Sequence, residues 1–157
     1  MKKISKSNKK KLKFVAGFLL IGLIICLAII FIPSKKEQGA IESFRYSFGS
    51  GEGEYYEYKI DYKDGKYTYN GVGTGLNTTK TIDSSNIEKL SKIIDENKIK
   101  DWNGFNQSKN NILDGYGFNL KVEYKTGYKI EAQGYMMYPS NYKQGHEKIV
   151  EFFESIN

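Results

Sequence analysis

From Phe14 to Ile32 the chain reads FVAGFLLIGLIICLAIIFI, nineteen residues without a charge. As a helix rising about 1.5 Å per residue, such a run spans roughly 28 Å, close to the hydrocarbon thickness of a bilayer. Pro33 ends it, and MKKISKSNKKKLK, with seven lysines and no acid, precedes it. A cleaved signal peptide would have a shorter apolar core and a small residue three before the cut, whereas the best downstream site, QGA at 38–40, begins with Gln38. A lipoprotein signal would want a small residue before Cys26 and an end to the apolar run there. Ile25 stands before it instead, and Leu27 to Ile30 continue the run. A pilin-like assembly helix would want Gly before the first Phe and an acid inside, and Lys13 and the acid-free run argue against it. The expectation is a basic cytoplasmic tail over 1–13, one transmembrane helix over 14–32, a linker over 33–40 and a folded domain over 41–157. Lysine-rich flanks stay on the cytoplasmic side, so the C-terminal domain is expected outside the cell membrane.

This partition also explains the charge. The chain has 24 basic and 18 acidic residues and a net charge of +6, but seven of the basic residues and none of the acids fall in the first 13 positions. The remainder carries 17 basic against 18 acidic groups and shows no basic stripe of the kind a phosphate backbone requires, which argues against nucleic acid as a partner. Cys26 is the single cysteine and lies in the apolar run, leaving the outer domain without disulfide or thiol nucleophile. A domain of about 120 residues can be held by its core alone.

Within that domain the hydrophobic pattern is mostly of period two. Ile41, Phe44, Tyr46 and Phe48 suggest an irregular or edge strand. Tyr56, Tyr58, Ile60 and Tyr62 alternate with Glu57, Lys59 and Asp61, and Asp64-Gly65 is the favoured pair for a two-residue hairpin turn, predicting Tyr62 opposite Tyr67. GVGTG at 71–75 is not followed by Lys-Ser/Thr or a helix, so it reads as a bend rather than a phosphate loop, with LNTTKTI as strand or loop. Ser85 and Glu88 form a capping box, with Asp83 and Ser84 as alternative caps, for a helix to about Asn97 that carries Ile87, Leu90 and Ile94 on one face. After an Asn- and Gly-rich connection over 99–117, Tyr116, Phe118, Leu120, Val122 and Tyr124 alternate again. Tyr128, Ile130 and Ala132 return on the same face only if Lys125, Thr126 and Gly127 make a three-residue turn. Ile149, Phe152, Phe153 and Ile156 mark a last helix.

The two hairpins echo each other, KIDYKDG at 59–65 and KVEYKTG at 121–127, and the same offset of 62 pairs Ile87 with Ile149 and Leu90 with Phe152. The expected architecture is therefore α+β, an antiparallel sheet with two helices on one face, arranged as a ββα-ββα pseudo-repeat. The alternative is chance likeness in a chain rich in Lys, Tyr, Ile and Gly.

Chemistry is sparse. His146 is the single histidine, without the companions that a catalytic triad or a zinc site requires, and reads as a surface or cap residue. The Asn- and Asp-rich connection fails EF-hand spacing, because Phe105 takes a ligand position and no Glu closes the loop. No cofactor or metal is called for. Two carboxylates suffice for a glycosidase, so a carboxylate-dependent cell-wall hydrolase stays open. All thirteen tyrosines and the single tryptophan lie beyond the apolar run. Those outside the strand pattern are Tyr55, Trp102, Tyr135, Tyr138 and Tyr142, and the last four, together with Asp114, are the candidates for a partner or ligand surface. For Trp102, closing the core under its loop is favoured over ligand contact.

DWNGF, NILDGYGFNLKVEY and GYKIEAQGYMMYPSNY resemble a family of uncharacterised extracytoplasmic domains in Gram-positive bacterial membrane-anchored and lipoprotein-like surface proteins. The matching positions are Trp102, Leu113, Asp114, Gly115, Phe118, Leu120, Gly134, Tyr135, Pro139, Asn141 and Tyr142. The resemblance covers about residues 100 to 156 and implies a fold but no activity. Taken together, the expectation is a non-catalytic binding or interaction module anchored in the membrane, with a protein or a cell-envelope glycan as partner and the open sheet face as its natural place. An accessory subunit of a membrane complex is a further alternative.

Overall fold

A computed structural model describes residues 39–51 and 53–157. The expected tail and membrane helix, 1–32, lie outside the described residues, as does most of the expected linker. Among the described residues no helix is long and apolar enough to cross a membrane.

The domain is α+β. Four strands come first, β1 (Ile41–Ser50), β2 (Tyr55–Lys63), β3 (Lys66–Gly73) and β4 (Leu76–Ile82), followed by helix α1 (Ser84–Glu96) and a 3-10 turn (Ile99–Trp102). Then come β5 (Asn106–Ser108), β6 (Tyr116–Tyr124), β7 (Lys129–Tyr135) and helix α2 (Tyr142–Ser155). The strands form one seven-stranded sheet in the order β4-β3-β2-β1-β6-β7-β5, antiparallel except where β5 runs parallel to β7.

One face of the sheet is buried. Phe44, Tyr46, Tyr58, Ile60, Tyr69, Phe118, Leu120, Val122 and Ile130 join Ile87, Leu90 and Ile94 of α1 and Ile149, Phe152 and Phe153 of α2 in a single core. Phe153 shows how the layers meet, with its ring stacked on Tyr58 at 4.5 Å and beside Phe44 at 5.5 Å and Tyr69 at 5.2 Å. The other face is polar, as alternation requires, and its charges pair with one another. Arg45 meets Glu57 at 3.1 Å, Lys59 meets Asp61 at 2.6 Å, and Lys121 lies 3.4 Å from both Glu123 and Glu131.

Both hairpin turns have the expected lengths. Lys63 pairs with Lys66 across Asp64 and Gly65, both at positive φ, and Tyr62 faces Tyr67. In the second hairpin the Tyr124 amide donates to the Tyr128 carbonyl, leaving a three-residue loop with Gly127 at φ 81°.

The extra residue changes more than the loop. A two-residue turn closes on a hydrogen-bonded pair, Lys63 with Lys66, so the buried pairs of the first hairpin, Tyr62 with Tyr67 and Ile60 with Tyr69, fall at non-hydrogen-bonded positions. In the second hairpin Tyr124 and Tyr128 are the hydrogen-bonded pair, and the buried pair Val122 with Ile130 falls in phase with it. Each hairpin therefore turns the opposite one of its own two faces to the core, which is why they lie on opposite flanks of β1 with β2 and β6 as its neighbours. The ββα-ββα reading is corrected accordingly: the crests are alike, but no rotation within the sheet turns one hairpin into the other, and β1, β4 and β5 stand outside the scheme.

Three local expectations also change. β1 is the central strand, not an edge, pairing with β2 and along its whole length with β6. A register shift between Ile41 and Ser43 breaks its period-two pattern, which hid its place in the sequence. The cap of α1 is Asp83, one of the two alternatives to Ser85, with no side-chain capping bond, because the chain turns into helix directly after Ile82 pairs with Tyr67. The connection over 99–117 is partly ordered into the 3-10 turn and β5, whose backbone closes the outer edge of β7.

Candidate functional site at the aromatic end of the sheet

The chain enters the sheet at Ile41, beside both hairpin turns, where the Lys125 amide donates to the Ala40 carbonyl at 2.9 Å. β1 then runs ten residues, about 30 Å at roughly 3.3 Å each, to the opposite end. There Phe48 pairs with Tyr56 and Phe118, and Ser50 with Tyr116. The loops before β6 and after β7 meet at this end.

Hydrogen bonds to backbone fix those loops. The Tyr135 hydroxyl accepts from the Gly115 amide at 2.7 Å and lies 3.1 Å and 3.2 Å from the carbonyls of Ile112 and Leu113, to which it donates. The Tyr116 carbonyl accepts from the Tyr138 hydroxyl at 2.8 Å and from the Met136 amide at 2.9 Å. Met136 sits at φ 54°, so the chain reverses sharply as it leaves β7. The outcome is a braced surface on which Leu113 is 95% exposed, Tyr116 52%, and Met136, Met137 and Tyr138 over a third.

Beneath it lies a stack of rings. Tyr138 stacks on Tyr142 at 4.6 Å, and Tyr142 stacks on His146 at 5.4 Å and leans against Trp102 at the same distance. The Tyr46 hydroxyl lies 3.0 Å from that of Tyr142 and 2.7 Å from Nδ1 of His146, and the edge of Phe48 meets the His146 ring at 4.6 Å. Burial raises the Tyr142 pKa to about 12, against a lowering from its bond to Tyr46, and burial holds the Tyr46 pKa well above the ordinary phenol value. Burial also lowers the pKa of His146, opposed by the nearby Glu147 carboxylate. At neutral pH the cluster is therefore uncharged, with protonated phenols and a neutral imidazole.

The structure brings together four of the five residues expected at a partner surface. Asp114 is exposed in the loop that Tyr135 closes, Tyr138 lies on the surface, and Tyr142 is half-buried below it. Trp102 leaves the candidate surface and takes the favoured of its two readings, closing the core. It is 0% exposed, its indole Nε1 donates to Asn141 Oδ1 at 2.9 Å, and its ring packs on Phe118 and Tyr142, so it supports the surface from inside the core. Leu113, Tyr116, Met136 and Met137 join the surface without having been singled out by the sequence pattern. His146 lies within the ring cluster rather than at the surface or cap position expected of it. The signal for His146 was its spacing, since Tyr142, Ile149 and Phe153 share its face of α2.

His146 bonds to the Tyr46 phenol, and no serine or threonine hydroxyl is bonded to it among the described residues. Glu123 and Glu131 flank Lys121 on the open sheet face, and the hydrogen bond from Lys129 lowers the Glu123 pKa, opposite to what a general acid needs. Among the described residues no group of three or more His, Cys, Asp or Glu side chains could hold a metal ion.

No family model matches the chain, and no curated protein or solved structure matches it.

Proposed function

We propose that the protein is a membrane-tethered binding module on the outer side of the cell membrane, whose partner docks on the aromatic end of the sheet. The observation that carries this reading is the convergence of Leu113, Tyr116, Met136, Met137 and Tyr138 into one exposed apolar patch braced by hydrogen bonds to backbone. Isolated apolar side chains are ordinary on any surface, whereas a contiguous patch marks a place of contact. Because the loops are already fixed, docking orders little further chain and loses little entropy. The tether rests on the lysine-flanked apolar run at 14–32, and the chain that follows it enters the domain at Ile41, at the end opposite the patch. Leucine and methionine offer the aliphatic surface that a protein partner buries, so a protein partner is favoured.

A photo-crosslinking residue in place of Leu113 tests this in the full-length, membrane-inserted chain. It should capture one discrete protein, and Met137→Asp on the same chain should abolish capture. The same residue at Lys66, on the turn end, should capture nothing comparable. Equal labelling from both ends, or none from Leu113, would rule the patch out as a docking surface.

A further inference from the structure

The sheet has two edges, and the fold treats them differently. At the β7 edge the 103–109 segment covers the outward backbone groups: Gly104 donates to Glu131, Gln133 to Phe105, Lys109 to Tyr135, and the Glu131 amide donates to Asn103 Oδ1. At the other edge β4 runs seven residues with no proline, no register shift against β3 and a single charge, Lys80. Gly73 and Leu76 close the β3–β4 turn as a hydrogen-bonded pair, so Leu76, Thr78, Lys80 and Ile82 direct their backbone groups to β3. Asn77, Thr79 and Thr81 direct theirs outward, and no other strand pairs with them among the described residues. Proteins ordinarily cover or charge such an edge, because a row of open donors and acceptors is a template for another strand.

We propose that β4 pairs antiparallel with β4 of a second copy of this chain, through a two-fold axis at Thr79. The strand is self-complementary in that register. Thr79 meets its own copy and Asn77 meets Thr81 of the second copy, so all three outward residues exchange backbone hydrogen bonds. A two-fold axis perpendicular to the sheet keeps the buried face on the same side in both copies. On that face half-buried Leu76 comes opposite Ile82, and Lys80 comes opposite Thr78, so no like charges stand directly across the junction. Moving the axis to Asn77 or Thr81 leaves two of the three outward residues opposite positions beyond the strand and removes the contact of Leu76 with Ile82. The edge thus fits its own copy, joining two seven-stranded sheets into one, and this interface is separate from the aromatic end.

The test uses the full-length chain in membranes with Cys26→Ser, which removes the single native thiol. Thr79→Cys should give a covalent dimer under mild oxidation, because hydrogen-bonded antiparallel pairs hold their Cα atoms about 5.5 Å apart, within disulfide reach. Lys66→Cys should not. Thr79→Pro should abolish the dimer in light scattering of the detergent-solubilised chain, since it removes an outward amide and leaves the backbone bonds to β3 intact, at the loss of the Thr79 hydroxyl's bond to Asn70 Oδ1. Unchanged Trp102 emission would show that this variant keeps its core. A monomeric parent chain, absence of the 79–79 crosslink, or capture of a different protein by the Thr79→Cys variant would each overturn the proposal.

Discussion

The hydroxyl of Tyr46, on the central strand, lies 2.7 Å from Nδ1 of His146 on α2. This bond joins the two layers of the domain beneath the aromatic end, and it holds the imidazole where burial keeps it neutral.

Its pH dependence has a definite sign. The folded-state pKa of His146 is lowered from 6.5, so above that value both folded and unfolded chains carry a neutral imidazole and the bond contributes fully. As pH falls below 6.5 the unfolded chain takes up the proton first, and stability declines until the lowered folded pKa is reached. Urea midpoints measured from about pH 7.5 down to about pH 5 should fall more for the parent chain than for His146→Phe. Parallel curves for the two chains would show that His146 is not the titrating group.

Gly145→Ala is a case in which propensity and packing disagree. Alanine is favoured over glycine within a helix by about 1 kcal/mol. A Cβ at this position would sit 2.5 Å from Cζ2 of Trp102 and 3.1 Å from Cγ1 of Ile99, and both side chains are fully buried. Neither can yield, so α2 must move, and a net destabilisation of about 1–3 kcal/mol is expected in chemical denaturation. A stabilised variant would mean that the indole is free to shift.

Asn141 ties three elements together. Its Oδ1 accepts from Trp102 Nε1 at 2.9 Å, and its Nδ2 donates to the Asn97 carbonyl at 2.7 Å. Asn141→Ala leaves a buried indole N–H without its acceptor and should cost about 1–3 kcal/mol. Asn141→Asp keeps the acceptor but turns a carboxylate oxygen toward the Asn97 carbonyl, so it should not restore stability. Because Trp102 is the single tryptophan, its fluorescence reads both variants directly.

Much of the local structure was legible. The alternation of Tyr58 and Ile60 with charged neighbours marked β2, the Asp64-Gly65 pair marked its turn, and return of Ile130 to the core face forced the three-residue loop ending at Gly127. Ile87, Leu90 and Ile94 lie where helical spacing placed them. The site was less legible. Tyr135 and Tyr138 stand out because they break the strand pattern, but the same argument selects Trp102, whose indole finds its acceptor 39 positions away in Asn141. Nothing near Leu113 in the chain reveals that its loop is closed by a tyrosine 22 residues later.

By itself, the sequence determined which residues face the core in β2, β3, β6 and the two helices, how long the two hairpin turns are, and that an apolar run precedes the domain. These follow from periods of 2 and 3.6 residues and from backbone angles, which a few neighbouring side chains impose. Only the tertiary structure decided that β1 is central, that the two hairpins flank it with opposite faces turned to the core, that β7 has a covered edge while β4 has an open one, and that half-buried His146 joins the rings around fully buried Trp102. Strand order is settled by backbone hydrogen bonds, which are the same for every residue, and by the packing of side chains brought together from distant parts of the chain.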